Sequence, residues 1–110
     1  MATGILGIAD LAATTLTTLY TVPSTTFTVA TVSVCNRGTA PVTVRIALAG
    51  PVSVSATPAN GEYIEFDMVI QPKGVLERTG LVLNETRRII VYASATGVSA
   101  TAFGIETSTV

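Results

Sequence analysis

The chain contains no histidine and no tryptophan, a single cysteine, and only six basic and seven acidic residues among 110. Each shortage closes a class of function. Without histidine, the Ser and Thr hydroxyls and the one thiol lack the ordinary base that activates a nucleophile, so an enzyme is not expected. The lone Cys35 has no internal partner, so no disulfide and no oxidising compartment is implied. A formal charge of −1 leaves no electrostatic footprint for nucleic acid. No run approaches the roughly 20 apolar residues of a membrane-spanning helix. No cofactor or metal is expected.

What the chain does have is threonine, valine and alanine in alternating runs. β-Branched residues suit the pleated surface of a strand, and period-two alternation turns one set of side chains toward a core. Residues 1–13 are small and apolar with no clear period, and read as an N-terminal arm or an irregular first strand. The first ten residues hold no Lys or Arg, and Asp10 interrupts their apolar run, so no signal peptide is expected. Residues 14–110 read as one β-sandwich domain, a length that a single hydrophobic core serves.

Along that domain, residues 14–22 are β-branched and end at Pro23, which cannot donate to a ladder. Between Phe27 and Cys35 the apolar set changes parity, from Phe27 and Val29 to Ala30, Val32 and Val34. That predicts a β-bulge near Ala30 or a switch between sheets. Residues 42–48 alternate with Val42, Val44, Ile46 and Leu48 inward. A short strand over Val52–Ala56 and a turn at Pro58-Ala59-Asn60-Gly61 follow. Residues 63–70 alternate with Ile64, Phe66, Met68 and Ile70 inward and Glu65 and Asp67 outward. On that pattern Phe66→Ala costs roughly 3–5 kcal/mol. Strands over residues 75–83, 88–95 (Ile89, Val91 and Ala93 inward) and 98–106 complete the chain. About eight strands with turns every 8–12 residues, and no helix, predict an all-β antiparallel sandwich, jelly-roll or Ig-like.

Few residues could carry chemistry. Cys35 follows an apolar strand and reads as a packed, inert thiol. Glu65 and Asp67, two apart on one strand, point to one face and could serve acid–base chemistry or a hard cation. A solvated or salt-bridged face, with Arg78, Arg87 or Arg88 as partner, explains them more simply. Arg87-Arg88 lacks the larger patch and stacking aromatics of a phosphate-tracking surface.

Charge is unevenly placed. Nine of the thirteen charged residues lie between Glu62 and Arg88, and the first sixty residues hold three. The 12% charged fraction is about half the usual ~25%, so much of the exterior is expected to face protein rather than bulk water. The candidate interface has two parts. Ile5, Leu6, Ile8 and Leu11 are too apolar for a free tail and are expected to order on another subunit. Glu65, Asp67, Glu77, Arg78, Arg87 and Arg88 are expected to form cross-strand or intersubunit pairs. A symmetric homo-oligomer, most simply a trimer, follows from so much uncharged surface.

A series of segments carries a resemblance. Leu19-Tyr20-Thr21-Val22-Pro23, Val32-Ser33-Val34-Cys35-Asn36-Arg37-Gly38, Val44-Arg45-Ile46-Ala47, Glu62-Tyr63-Ile64-Glu65-Phe66-Asp67, Val75-Leu76-Glu77-Arg78-Thr79-Gly80 and Arg88-Ile89-Ile90-Val91-Tyr92-Ala93 run across residues 19–93. The series resembles small β-sandwich structural proteins of tailed bacteriophages, particularly T4-like phages that infect cyanobacteria. The resemblance implies a virion component made in the host cytoplasm, without enzymatic role, whose partners are other virion proteins. It transfers no functional residues. Two roles stay open: a capsid decoration or cement protein or a comparable accessory subunit, and a tail, baseplate or fibre module that attaches virion proteins or contacts a host receptor. A carbohydrate-reading tip wants exposed aromatics, and three Tyr with no Trp favour the structural role.

Overall fold

The computed structural model describes residues 2–51 and 57–110. The strand expected over Val52–Ala56 lies outside the described residues. The described chain forms eight strands: β1 (Thr3–Leu11), β2 (Thr17–Thr21), β3 (Thr26–Asn36), β4 (Val42–Ala49), β5 (Tyr63–Ile70), β6 (Val75–Leu83), β7 (Arg88–Ala93) and β8 (Val98–Ser108), with one short 3₁₀ turn at Asn60–Glu62. They build two four-stranded sheets, β1-β8-β3-β6 (sheet A) and β2-β7-β4-β5 (sheet B). Every pairing between strands is antiparallel.

The order follows one rule. Strand β1 pairs with β8, β2 with β7, β3 with β6 and β4 with β5. The chain is thus a long hairpin of strands wound into a sandwich, which is the jelly-roll arrangement of two Greek keys. Of the two architectures left open by the sequence, it is the jelly roll.

The core lies between the sheets. Val32 and Val34 of β3, Val44 and Ile46 of β4, Ile89 and Val91 of β7, and Val98 and Ala100 of β8 are wholly buried. β-Branched side chains at alternate positions supply it, as period two requires. Leu48 is partly buried against the same core. The polar groups taken inside are satisfied. Asn36 ends β3 with its Nδ2 donating to the carbonyls of Ala40 (2.8 Å) and Ile70 (3.1 Å) and its Oδ1 accepting from Gly38 N (2.9 Å). No buried side-chain nitrogen or oxygen among the described residues lacks a partner.

Two alternatives left open by the sequence are resolved here, and one expectation is corrected. Of the two readings of residues 1–13, an arm or an irregular first strand, residues 3–11 take the second. They form an edge strand paired within the chain, and Leu11 at its end is a core residue. The missing period has a cause: the register with β8 slips between Ile5 and Gly7, so Leu6 is an extra residue and packs toward the core. Ile5 and Ile8, three apart, then share the outer side.

In β3 the faces do not switch. Its pairing with β8 is unbroken from Thr26 to Asn36, and the inward set is Thr26, Thr28, Ala30, Val32, Val34 and Asn36. A register shift does occur beside Ala30, but β6 carries the extra residue, where Gly80 takes φ +68°. A bulge glycine in the left-handed region absorbs it without turning β3 over. Phe27 and Val29 therefore face out.

Strand β5 departs from its alternation as well. Its register with β4 shifts between Val44 and Ile46 and again between Ile46 and Ala47, and Asp67 sits at φ +54°. The first bulge turns Phe66 outward, 58% exposed, and Met68 stays 46% exposed at the sandwich edge. Only Ile64 and Ile70 of the expected inward set reach the core.

Candidate interaction surface

The outer faces of the two sheets differ in kind. On sheet B, Ala47, Ala49, Ile90 and Arg88 are buried, with Tyr63 packed against the apolar three. Arg88 Nε donates to the Gly50 carbonyl (2.7 Å). Glu62 fastens the far end of the β4–β5 connection: Oε1 accepts from Ala59 N (2.8 Å), and Oε2 from Gly50 N (2.9 Å) and the Arg87 guanidinium (3.0 Å). The Ala59 and Gly50 amides and Arg87, in that order, hold the Glu62 carboxyl below its ordinary range against a partial desolvation. Nearby, the Arg45 guanidinium stacks over Phe66 (4.1 Å) and Tyr92 (4.8 Å) and binds Asp67 through Nε (2.6 Å). That bond lowers the Asp67 pKa and raises that of Arg45.

The outer face of sheet A has no such cover among the described residues. Cross-strand partners share a side, so the register gives its rows. Val82, Val29 and Ile105 form one row across β6, β3 and β8; Phe103 and Ile5 extend the next across β8 and β1. Exposure is high along them: Ile5 60%, Ile8 72%, Val29 43%, Val82 65% and Ile105 54%. Phe27, next on β3 and opposite Thr107, continues the surface. Thr31, Ser33 and Thr101 fill the centre. Charge is confined to one half of the face, where Glu77 on the β6 edge stands opposite Ser33 and Asp10 pairs with Arg37 beyond it. Apolar side chains left in water across all four strands cost free energy that burial against a partner recovers, at roughly 25 cal/mol per Å².

The candidate residues sort accordingly. Ile5 and Ile8 belong to this face, whereas Leu6 and Leu11 turn to the core. Glu65 and Asp67 do not converge: Glu65 binds Arg78 (2.8 Å) across the gap from β5 to β6, while Asp67 binds Arg45 on the outer side of sheet B. The bulge in β5 separates them. Arg87 pairs with Glu62, and Glu77 is exposed at the rim of sheet A. Arg88 is 3% exposed and is no surface residue. Most of the charged band thus holds the sandwich's own edge and connection together. No group of three or more Cys, Asp or Glu suited to a metal occurs among the described residues. Cys35 is half-buried on the outer side of sheet A, rather than packed in the core.

Sequence reasoning missed Phe27, Val29, Val82 and Ile105. The signal was present in β3, where Thr26 and Thr28 continue the parity of Ala30, Val32 and Val34. Hydropathy alone hides it, because it ranks threonine as a surface residue and phenylalanine as a core one.

Between the β5 and β6 edges an open cleft of about 350 Å³ is lined by Leu48, Ile64, Leu83 and Val82, with Glu62 and Arg87 at one end. Comparison with known proteins finds no matching family model, no matching curated protein and no matching solved structure.

Proposed function

We propose that this chain is a non-enzymatic structural subunit of a tailed-phage virion, a capsid decoration or cement protein or a comparable accessory piece, which docks on protein neighbours through the outer face of sheet A. The observation that carries the docking is the uncharged apolar surface running through Val82, Val29, Ile105 and Ile5. The virion assignment draws on the resemblance of residues 19–93. A jelly roll serves capsid and lectin domains alike, so the fold agrees with the reading without choosing it.

One observation favours the alternative, a tail, baseplate or fibre module that meets a host receptor. Bulging of β5 gathers Tyr63, Phe66 and Tyr92 around Arg45 on sheet B, an aromatic surface that composition did not suggest. Arg45 is already stacked and neutralised by Asp67 there, so the structural reading ranks first.

The test is incorporation into phage particles of Val29→Glu and, on the opposite sheet, Val69→Glu. Both should melt like the parent, because both sites are half-exposed. Val29→Glu should fail to incorporate and Val69→Glu should incorporate normally. A parent protein found in no particle contradicts the virion reading.

A further inference from the structure

We infer that the partner of this face is a second copy of the chain: the outer face of sheet A packs on the same face of its copy across a two-fold axis. The inference rests on the reading of that face as a protein interface. On the outer side of sheet B, Ala47, Ala49, Ile90 and Arg88 are buried. Sheet A leaves Ile5, Ile8, Val82 and Ile105 more than half exposed. The larger unmet burial is therefore on sheet A, although Phe66 and Val69 stay about half exposed on sheet B.

Three properties suit a copy of itself. The first is charge. An isologous contact lays each patch on itself, so any charge near its centre meets its like. Here the rows through Phe27, Val29 and Thr31 are uncharged; Glu77 stands on the β6 edge in the row of Ser33 and Thr101, and the Asp10–Arg37 pair lies beyond it. A two-fold axis running along the strands keeps that end off the apolar end of the copy. Steering by complementary charge, the usual device for choosing an unlike partner, has nothing to act on.

The second is shape. Val82, Val29 and Ile105 form one row of large side chains, Phe103 lies in the next beside Thr31, and the smaller Ser33 and Thr101 follow, a face without a charged protrusion at its apolar end that can stack on its copy at the ~10 Å spacing of packed sheets.

The third is area. Nine residues, the length of β1, by four strands span roughly 30 by 19 Å at ~3.3 Å per residue and ~4.8 Å between strands. That is on the order of 500 Å² from each copy, and about 1,000 Å² together reaches the size at which specific interfaces begin. An interface at this low end of the size range belongs with weak, transient association, so micromolar concentrations are the place to look for it.

Sedimentation velocity of the full chain over about 1 to 100 µM, the range that brackets such affinities, tests the inference. The parent should run as a reversible monomer–dimer system. Val29→Glu and Val82→Lys, each confirmed folded by melting, should weaken the dimer at least about 100-fold, since each buries an unpaired charge against its copy. Val69→Glu on sheet B should leave it unchanged. A parent that stays monomeric at the top of the range, a dimer indifferent to both sheet A variants, or a closed trimer overturns the inference. If the parent is monomeric yet Val29→Glu fails to enter particles, self-pairing is wrong and the docking face stands. If the Val29-sensitive dimer forms but never enters particles, self-pairing holds and the virion reading falls.

Discussion

The Tyr20 hydroxyl donates to the Glu106 carboxylate, joining β2 of one sheet to β8 of the other. Its single proton is then committed, so Thr28 Oγ1, 2.8 Å away, donates to the Tyr20 oxygen. The other Glu106 oxygen accepts from Ala2 N (2.9 Å). Four strand ends meet at this cluster: the chain's beginning, β2, β3 and β8.

The cluster sets a pH dependence with a sign at each end. Burial first, and the Glu106 bond second, push Tyr20 from 10.0 up to about 12. A raised pKa means the fold favours the neutral phenol, so that stability is present below pH 10.0 and is lost as pH climbs toward 12. Glu106 is held below its ordinary 4.5, first by the Tyr20 hydroxyl and then by the Ala2 amide. Its contribution is present above 4.5 and disappears as pH falls below it. Thermal melts across pH should show both losses. Tyr20→Phe should flatten the alkaline one and cost about 1–2 kcal/mol at neutral pH, the worth of a charge-assisted bond at a half-exposed acceptor.

Gly7 should not tolerate a side chain. A Cβ there would stand 2.1 Å from the Leu19 carbonyl oxygen, because β1 passes close against β2 where the chain crosses between sheets. Gly7→Ala must push the two backbones apart, at a cost of roughly 1–3 kcal/mol by urea denaturation.

Arg88→Glu should unfold the protein rather than merely block association. Arg88 is buried and bonded to the Gly50 carbonyl, so reversal puts an acidic group against an acceptor inside the fold. A loss of at least ~3 kcal/mol is expected. Calorimetry of the isolated variant reads it directly.

Phe66→Ala, by contrast, should be mild. The ring is 58% exposed and its specific contacts are Arg45 and Tyr63, so about 0.5–1 kcal/mol is at stake. Leu83→Ala, at a buried position, should cost roughly 2–5 kcal/mol. The order of the two, measured side by side, checks the bulge in β5.

What the sequence made legible was set by regular alternation. In β4 and β7, Val42, Val44, Ile46, Ile89, Val91 and Ala93 are buried as their spacing required, because both strands are flanked by partners over most of their length and unbroken against each other. Errors gathered where a bulge shifts the register. Beside Leu6 a register slip blurred the period of the first strand, leaving an arm as its rival reading, and in β5 the bulge at Phe66 and Asp67 turned Phe66 outward. Pairing between distant segments creates these shifts, and no local pattern records it. Likewise, Arg88 looked like a surface charge because a hydrogen-bond partner that holds it inside, the Gly50 carbonyl, lies 38 residues away. For the candidate surface, Ile5 and Ile8 were legible as unusually apolar, but their neighbours Val29, Val82 and Ile105 became visible only once β1, β8, β3 and β6 were in one sheet.

The most direct measurement is carbene footprinting of the parent protein, free at high dilution and again in its assembled state, with labelling read residue by residue. Ile5, Ile8, Val29, Val82 and Ile105 should label readily in the free chain and become protected on assembly, while Phe66 and Val69 on sheet B stay labelled in both. Protection of Phe66 and Val69 with sheet A unchanged would contradict the assignment of the outer face of β1-β8-β3-β6 as the docking surface.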